Sequence, residues 1–203
     1  PGALVLCPTR ELAQQVAHDA IDLVKHCKGL RIAFLGYNEF QPRSFEADHD
    51  RAGVAWSEDD QVVRDIQQAR TQWKADVVIP IMHWGWENER QANPRQRFLA
   101  QRMVDAGADA VIGGHPHVTQ DIAIYKGKPI VFSVGNFVMK ETDNAYQRQG
   151  WLLKLYLDKR GVTGFETLPV NIDLGGLPTV ATETTSPCWT RGDKITRVCD
   201  PRK

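Results

Sequence analysis

The sequence predicts an α/β fold in which a mixed sheet of parallel βαβ units is followed by two antiparallel hairpins. Short apolar runs of strand length alternate with stretches whose apolar residues recur at helical spacing, and this alternation is typical of a largely parallel sheet. After residue 117 the pattern changes to two pairs of apolar runs, which turn at 126–128 and at 159–161. Such pairs predict antiparallel hairpins.

The first βαβ unit is predicted from residues 3–37. The apolar run "ALVLC" (3–7) indicates a strand, and the next stretch has apolar residues on one helical face, with Thr9 as N-cap and Gly29 as the stop. "RIAFLGY" (31–37) is the next predicted strand, and a polar loop runs from it to about residue 55.

Two further helices and two further strands are predicted between residues 57 and 113. Ser57 and the three acids after it suit a helix N-terminus, and Pro94 begins the second helix, which ends at Gly107. Strands are predicted at 76–82 and 109–113. The residues predicted to face inward are Val62, Val63, Ile66, Ala69 and Trp73 in the first helix and Phe98, Leu99, Met103 and Val104 in the second.

The length of the chain favours one main domain, and its charge balance predicts no strong electrostatic field around the molecule. The 203 residues suffice for one sizeable core, predicted at 31–175, with a strand-helix segment at 1–30 packed on it and a loose tail at 176–203. The 25 basic residues balance the 25 acidic ones, so neither nucleic acid nor a membrane is expected as a partner. No signal-peptide pattern opens the chain as given, so a cytoplasmic location is expected.

Histidines follow two of the predicted strands directly. His83 comes after "VVIPIM", and His115 and His117 come after "AVIGG" with Pro116 between them. Because functional groups gather at the carboxyl ends of parallel strands, three imidazoles are expected to converge if these strands are neighbours. Imidazole binds zinc and related divalent ions, so the sequence predicts a metal site with one position open for an attacking water.

Residues near these histidines are candidates for other roles, each with a structural alternative. Glu87 is either a solvated acid or a partner in proton transfer, and Asn136 is either part of a turn or a contact in the same pocket. Trp84 and Trp86 are candidates for substrate contact, with packing favoured for at least one. The loop acid Asp48 is a second candidate for proton transfer, and with Glu46, His49 and Asp50 it is also a candidate substitute ligand.

Residues 29–181 resemble the C-terminal half of bacterial capsule-synthesis proteins of the CapA, or poly-γ-glutamate biosynthesis, type. The resemblance is carried by motifs in order, namely "HWGWE", "HPH", "YKGKPI" and "GNF". It implies a partial calcineurin-like metallophosphatase fold, an α/β sandwich around a metal centre, with His83, His115 and His117 on ligand positions. Neither a Gly-Asp motif on the first predicted strand nor an Asn-Asn-His motif occurs here, so one ion per site is expected rather than two.

The first 33 residues resemble a different family. "PTRELAQQ" matches motif Ia of DEAD-box RNA helicases, in which the positions of Thr9 and Arg10 contact RNA phosphates. No GxxxxGK[ST] loop or Asp-Glu-Ala-Asp motif accompanies it, so ATP binding is not expected. The two resemblances together indicate a fusion of fragments.

The function predicted from the sequence is metal-dependent hydrolysis of an ester, phosphoester, amide or glycosidic bond. Zinc, manganese and iron are all acceptable ions, and the substrate is a small molecule or a polymer. The alternatives are a non-catalytic module that binds capsule polymer and a weak RNA-binding fragment. A homo-oligomer is expected, because half of a two-sheet fold leaves apolar sheet surface unburied. The full-length family is often associated with the cell surface.

Overall fold

A mixed six-stranded sheet forms the centre of the protein. The computed structural model describes residues 4–6, 29–40, 42–139, 142–181 and 186–197. The strand order is β1-β2-β3-β4-β6-β5, and every neighbouring pair is parallel except β5 and β6. The strands are β1 (Leu4–Leu6), β2 (Ile32–Asn38), β3 (Val77–His83), β4 (Val111–Gly114), β5 (Ile122–Tyr125) and β6 (Lys128–Val131).

Among the described residues, two helices cover one face of this sheet, α1 (Asp59–Thr71) and α2 (Pro94–Ala106), and a 3-10 turn lies at Arg43–Phe45. The start of α2 is fixed by a capping box. The Asn93 side chain accepts a hydrogen bond from the Gln96 backbone N–H, and the Gln96 side chain accepts one from the Asn93 backbone N–H. Gly107 ends the helix with a φ of 115°, a conformation that favours glycine. The helices bury their apolar faces with one side of the central strands in a single cluster.

An antiparallel sheet covers the other face. Its strands are β7 (Gln149–Asp158), β8 (Gly161–Ile172), β9 (Pro178–Val180) and β10 (Cys188–Thr190), with β8 pairing with each of the other three. Phe165 and Trp189 pack in one buried cluster with Ile79 of the central sheet. The layers are therefore helices, mixed sheet and antiparallel sheet, which confirms the predicted mixed α/β, partial metallophosphatase-like fold.

Three details differ from the sequence prediction. Trp73 is 56% exposed because α1 ends at Thr71, before the tryptophan can join its inner face. Phe98 is 50% exposed on α2, where guanidinium groups of neighbouring arginines lie over its ring. The tail predicted to be loose contains β9 and β10, because both find hydrogen-bonding partners on β8.

Part of the N-terminal prediction lies outside the described residues. The backbone of β1 pairs in parallel with β2, as a strand leading into a βαβ unit does. The helix predicted after it, with Thr9 and Arg10, is not among the described residues. In the described part of the chain, neither helix has the length and apolar content needed to cross a membrane.

Candidate metal centre

The carboxyl ends of β2, β3 and β4 lie side by side in register. His83, the last residue of β3, pairs with Asn38 on one side and with Gly114 on the other. His115 follows Gly114 directly, so its ring lies 4.5 Å from that of His83 between centroids, and the His117 ring lies 5.9 Å from that of His115. The histidines at the two strand ends therefore meet at one edge of the sheet.

Glu87 joins two of these histidines in a compact donor group. One ligand atom each from Glu87, His115 and His117 lies within 4.8 Å of the others, and this is the one such group among the described residues. Two imidazoles and a carboxylate form a donor set used by catalytic zinc sites. His83 adjoins this group without belonging to it. Glu87, which the sequence proposed for proton transfer, therefore lies among the candidate ligands, and the ligand role expected of His83 stays a prediction.

The loop that carries the histidines has an unusual backbone. His115 has a φ of 94° and His117 a φ of 59°, which are left-handed values that L side chains rarely adopt. Backbone hydrogen bonds hold both sides of the loop, since the Trp84 N–H donates to the Gly114 oxygen at 3.2 Å and the Asn88 N–H to the Pro116 oxygen at 2.8 Å. Strain of this kind persists where the surroundings fix it, and it clusters at functional sites.

His115 is buried with one ring nitrogen unpartnered. Its Nε2 atom has no hydrogen-bond partner in the described part of the chain, and the Phe40 ring lies 3.9 Å from its own between centroids. Burial, reinforced by the His83 imidazole, lowers the pKa of His115 to about 4. The ring is therefore neutral at pH 7 and offers a free lone pair, which is the form that binds a metal ion. A divalent ion held with Glu87 and His117 fits this unpaired nitrogen.

The Nδ1 atom of His117 is hydrogen-bonded to the side-chain amide of Asn136. The Oδ1 atom of Asn136 lies 2.9 Å from Nδ1 of His117, and the Nδ2 atom of Asn136 donates to the backbone oxygen of Gln147 at 2.9 Å. Asn136, which the sequence proposed as a pocket residue, therefore contacts the histidine group. Neither Gln147 nor Phe40 was identified from the sequence. The only signal for Phe40 is its position just beyond the carboxyl end of β2.

The remaining candidates lie in different surroundings. Trp84 is fully buried, and its Nε1–H donates to the Phe132 oxygen at 2.9 Å, so its side chain has a packing role and no exposed face. Trp86 is 64% exposed beside Glu87 and remains a candidate for substrate contact. Asp48 accepts the His49 backbone N–H at 2.7 Å within its own loop. Nothing described here connects the Asp48 carboxylate to the histidines, and its proposed role stays a prediction.

One sizeable cavity among the described residues lies apart from the histidine site. It has a volume of about 1090 Å³ and lies between the 119–122 segment and the antiparallel sheet. Arg90 and Arg197 contribute to its lining, whereas Glu87 and the three histidines do not. The chemistry of the donor group, rather than cavity size, identifies the candidate centre.

Comparison with known proteins agrees with the resemblance seen in the sequence. The profile of the family described as bacterial capsule synthesis protein PGA_cap matches residues 13–141, which include the donor group and Asn136. The PGA biosynthesis protein CapA of Bacillus subtilis is 36% identical over 151 residues, 71% of this chain and 37% of the relative. The capsule biosynthesis protein CapA of Bacillus anthracis is 34% identical over 160 residues, 74% of this chain and 37% of the relative.

A relative matched over a shorter stretch has a related name. A probable polyglutamine synthesis accessory protein of Mycobacterium tuberculosis is 36% identical over 103 residues, 48% of this chain and 27% of the relative. The chain thus spans little more than a third of the curated relatives that it matches over most of its length. The profile match begins at residue 13, inside the segment that resembles a helicase, and the helicase resemblance stays a prediction.

Proposed function

The chain belongs to the PGA_cap family of bacterial capsule synthesis proteins, and on that premise we propose that it carries a divalent-metal-dependent hydrolytic centre that acts in capsule polymer synthesis. The names of its relatives direct the proposal toward a poly-glutamate substrate, whose backbone bonds are amides. Ester and phosphoester bonds are open to the same chemistry.

One observation carries the proposal. Glu87, His115 and His117 bring their ligand atoms within 4.8 Å of one another, and one of them, His115, has a buried Nε2 without a hydrogen-bond partner among the described residues. An unpaired buried nitrogen costs about 1–3 kcal/mol. A bound cation removes that cost, so the donor group supports ion binding better than it supports a purely structural role.

The position of each residue in the site suggests its role. Glu87, His115 and His117 would hold one ion, with zinc, manganese and iron all suited to the donors. When bound, the ion supplies Lewis acidity and lowers the pKa of coordinated water. His83, an exposed imidazole whose ring centroid is 4.5 Å from that of His115, is the side chain left to accept or return a proton. Trp86 offers its exposed face to substrate beside Glu87.

The test combines metal content with hydrolysis. The purified chain is analysed for metals, reconstituted with zinc, manganese or iron singly, and assayed on poly-γ-glutamate and on chromogenic esters and phosphoesters. We expect about one ion per chain, with His115→Ala losing the ion and at least about 100-fold in hydrolysis. Gln67→Ala, at an exposed position on α1 outside every candidate set, is the control and should keep both.

Two results would reject the proposal. If neither the purified nor the reconstituted protein holds a stoichiometric ion or hydrolyses any substrate, there is no metal-dependent centre. If the polymer binds equally well with and without metal and is never cleaved, the chain is a binding module instead.

A further inference from the structure

We propose that Asn136 is a positioning residue that fixes the tautomer of His117, keeping the ring proton on Nδ1 and leaving the Nε2 lone pair free for a ligand. The contact is the 2.9 Å approach of Asn136 Oδ1 to His117 Nδ1. The inference rests on the proposed function only for the identity of the ligand as a metal ion. The tautomer itself is a property of the metal-free chain.

The direction of this hydrogen bond follows from the other end of the amide. Asn136 Nδ2 lies 2.9 Å from the Gln147 backbone oxygen, which can only accept. A flipped amide would place two oxygens against each other there and would lose that bond. The oxygen of Asn136 must therefore face His117, and because an amide oxygen also only accepts, His117 Nδ1 must carry the proton.

A second set of amides holds Gln147 in place. The Oδ1 atom of Asn88 accepts from Gln147 Nε2 at 2.8 Å and from Asn144 Nδ2 at 2.8 Å. The backbone N–H of Asn88 donates to the Pro116 oxygen at 2.8 Å, between the two histidines. Asn88 also follows Glu87 directly in the chain. Asn88 therefore connects the 142–147 loop to the backbone next to Glu87 and, through Pro116, to the backbone between the two histidines.

The hydrogen bond from His117 to Asn136 selects the less common tautomer of the imidazole. A neutral histidine free in water prefers its proton on Nε2, so an unrestrained His117 would present the wrong nitrogen. Outer groups that hold a ligating histidine in one tautomer typically contribute about 10–100-fold in metal affinity. Asn136 has the same relation to His117 that such outer groups have to a ligand.

The test reads the tautomer directly in metal-free protein. The chain is labelled with 15N-histidine, and long-range 1H–15N correlation spectra are recorded at about pH 8, above the ordinary pKa of histidine. We expect the wild type to show the His117 proton on Nδ1 and Asn136→Ala to move it to Nε2. Metal affinity, measured by calorimetry on the same samples, should fall by about 10–100-fold in Asn136→Ala.

Two variants separate positioning from simple packing. Asn136→Asp keeps an acceptor oxygen for His117 Nδ1 but loses the donor to the Gln147 oxygen, so it should restore the Nδ1 proton and only part of the affinity. Asn144→Ala removes an asparagine of the same network that does not touch His117, and it should leave the tautomer unchanged. Restoration by aspartate together with an unaffected Asn144→Ala supports the proposal.

The proposal is overturned if wild-type His117 carries its proton on Nε2, a result that needs no variant to fold. It is equally overturned if Asn136→Ala retains the Nδ1 proton. A wild type with the Nδ1 proton and no affinity for zinc or manganese would support the tautomer assignment and reject the metal-dependent function, so the two failures are distinguishable.

Discussion

The two lysines of the β5–β6 hairpin each reach an aspartate, and the pairs differ in burial rather than in distance. Lys126 Nζ lies 2.6 Å from Asp105, with side chains 63% and 45% exposed. Lys128 Nζ lies 2.6 Å from Asp109, whose side chain is only 3% exposed. We predict that neutralising Asp109 costs far more stability than neutralising Asp105, because exposed pairs contribute about 0–1 kcal/mol whereas breaking a buried pair costs about 3–5 kcal/mol.

The contacts of Asp109 allow the loss of stability in Asp109→Asn to be estimated more closely. Its carboxylate also pairs with Arg70 and accepts the Val78 backbone N–H at 3.0 Å, so it joins the start of β4 to β3 and to α1. In Asp109→Asn both cations lose their countercharge. They remain 28% and 29% exposed at Lys128 and Arg70, and this access to water moderates the loss. We expect about 3 kcal/mol for Asp109→Asn and under about 1 kcal/mol for Asp105→Asn.

The measurement is urea unfolding of the two variants beside the wild type, followed by circular dichroism. A loss of about 3 kcal/mol corresponds to a fall of about 6–12 °C in Tm for a chain of this size. Equal losses for the two variants, within about 0.5 kcal/mol, would refute the reasoning that burial rather than distance sets the strength of these pairs. A small loss for both would show that water reaches Asp109.

Four further predictions concern the site and its support. Glu87→Gln should lower zinc affinity by at least about 100-fold in calorimetry while Glu89→Gln leaves it unchanged, and the opposite order would remove Glu87 from the donor group. Gly113→Ala should lower the free energy of unfolding in urea by about 3 kcal/mol or more, since a Cβ there would overlap the Phe132 backbone oxygen, whereas Gly114→Ala, with nothing within 4 Å, should change it little. Metal-free protein should lose stability as the pH falls from 6.5 toward about 4, because unfolded His115 takes up a proton that burial keeps off the folded ring, and His115→Gln should flatten this dependence. Sedimentation velocity of dilute protein should show a homo-oligomer, and a stable monomer alone would contradict that proposal.

The parts of the fold that could be predicted from the sequence are those with local causes. The helix that begins at Pro94 and ends before Gly107 was predicted within a residue, because proline and glycine restrict the backbone at those points. The turn between Tyr125 and Lys128 has positive φ at both Lys126 and Gly127, which matches the tight hairpin expected from the sequence. Strand pairing that depends on distant partners, such as β9 and β10 on β8, has no local signal.

The site was predicted in the same uneven way. Placing His83 and His115 at neighbouring strand ends needed only the βαβ pattern, since parallel strands end at one edge. The preference for Glu87 over His83 in the donor group depends on how the 84–88 segment and the "HPH" loop fold back toward each other. That geometry is set by left-handed residues held by backbone hydrogen bonds, and no spacing rule in the sequence reports it.

Backbone strain and an unpaired buried nitrogen occur together in the loop that carries His115 and His117. Elsewhere in the described chain, positive φ falls mostly on glycines and on the lysines of short turns, yet here His115 and His117 both adopt it. A glycine at 115 would relieve the backbone, and an apolar side chain there would remove the unpaired Nε2 atom. Either change would stabilise the chain if the loop were only a connection between strands. The sequence instead keeps an imidazole in a strained backbone beside a second imidazole and a carboxylate, and this arrangement supports the proposed ligand site rather than a simple connection between strands.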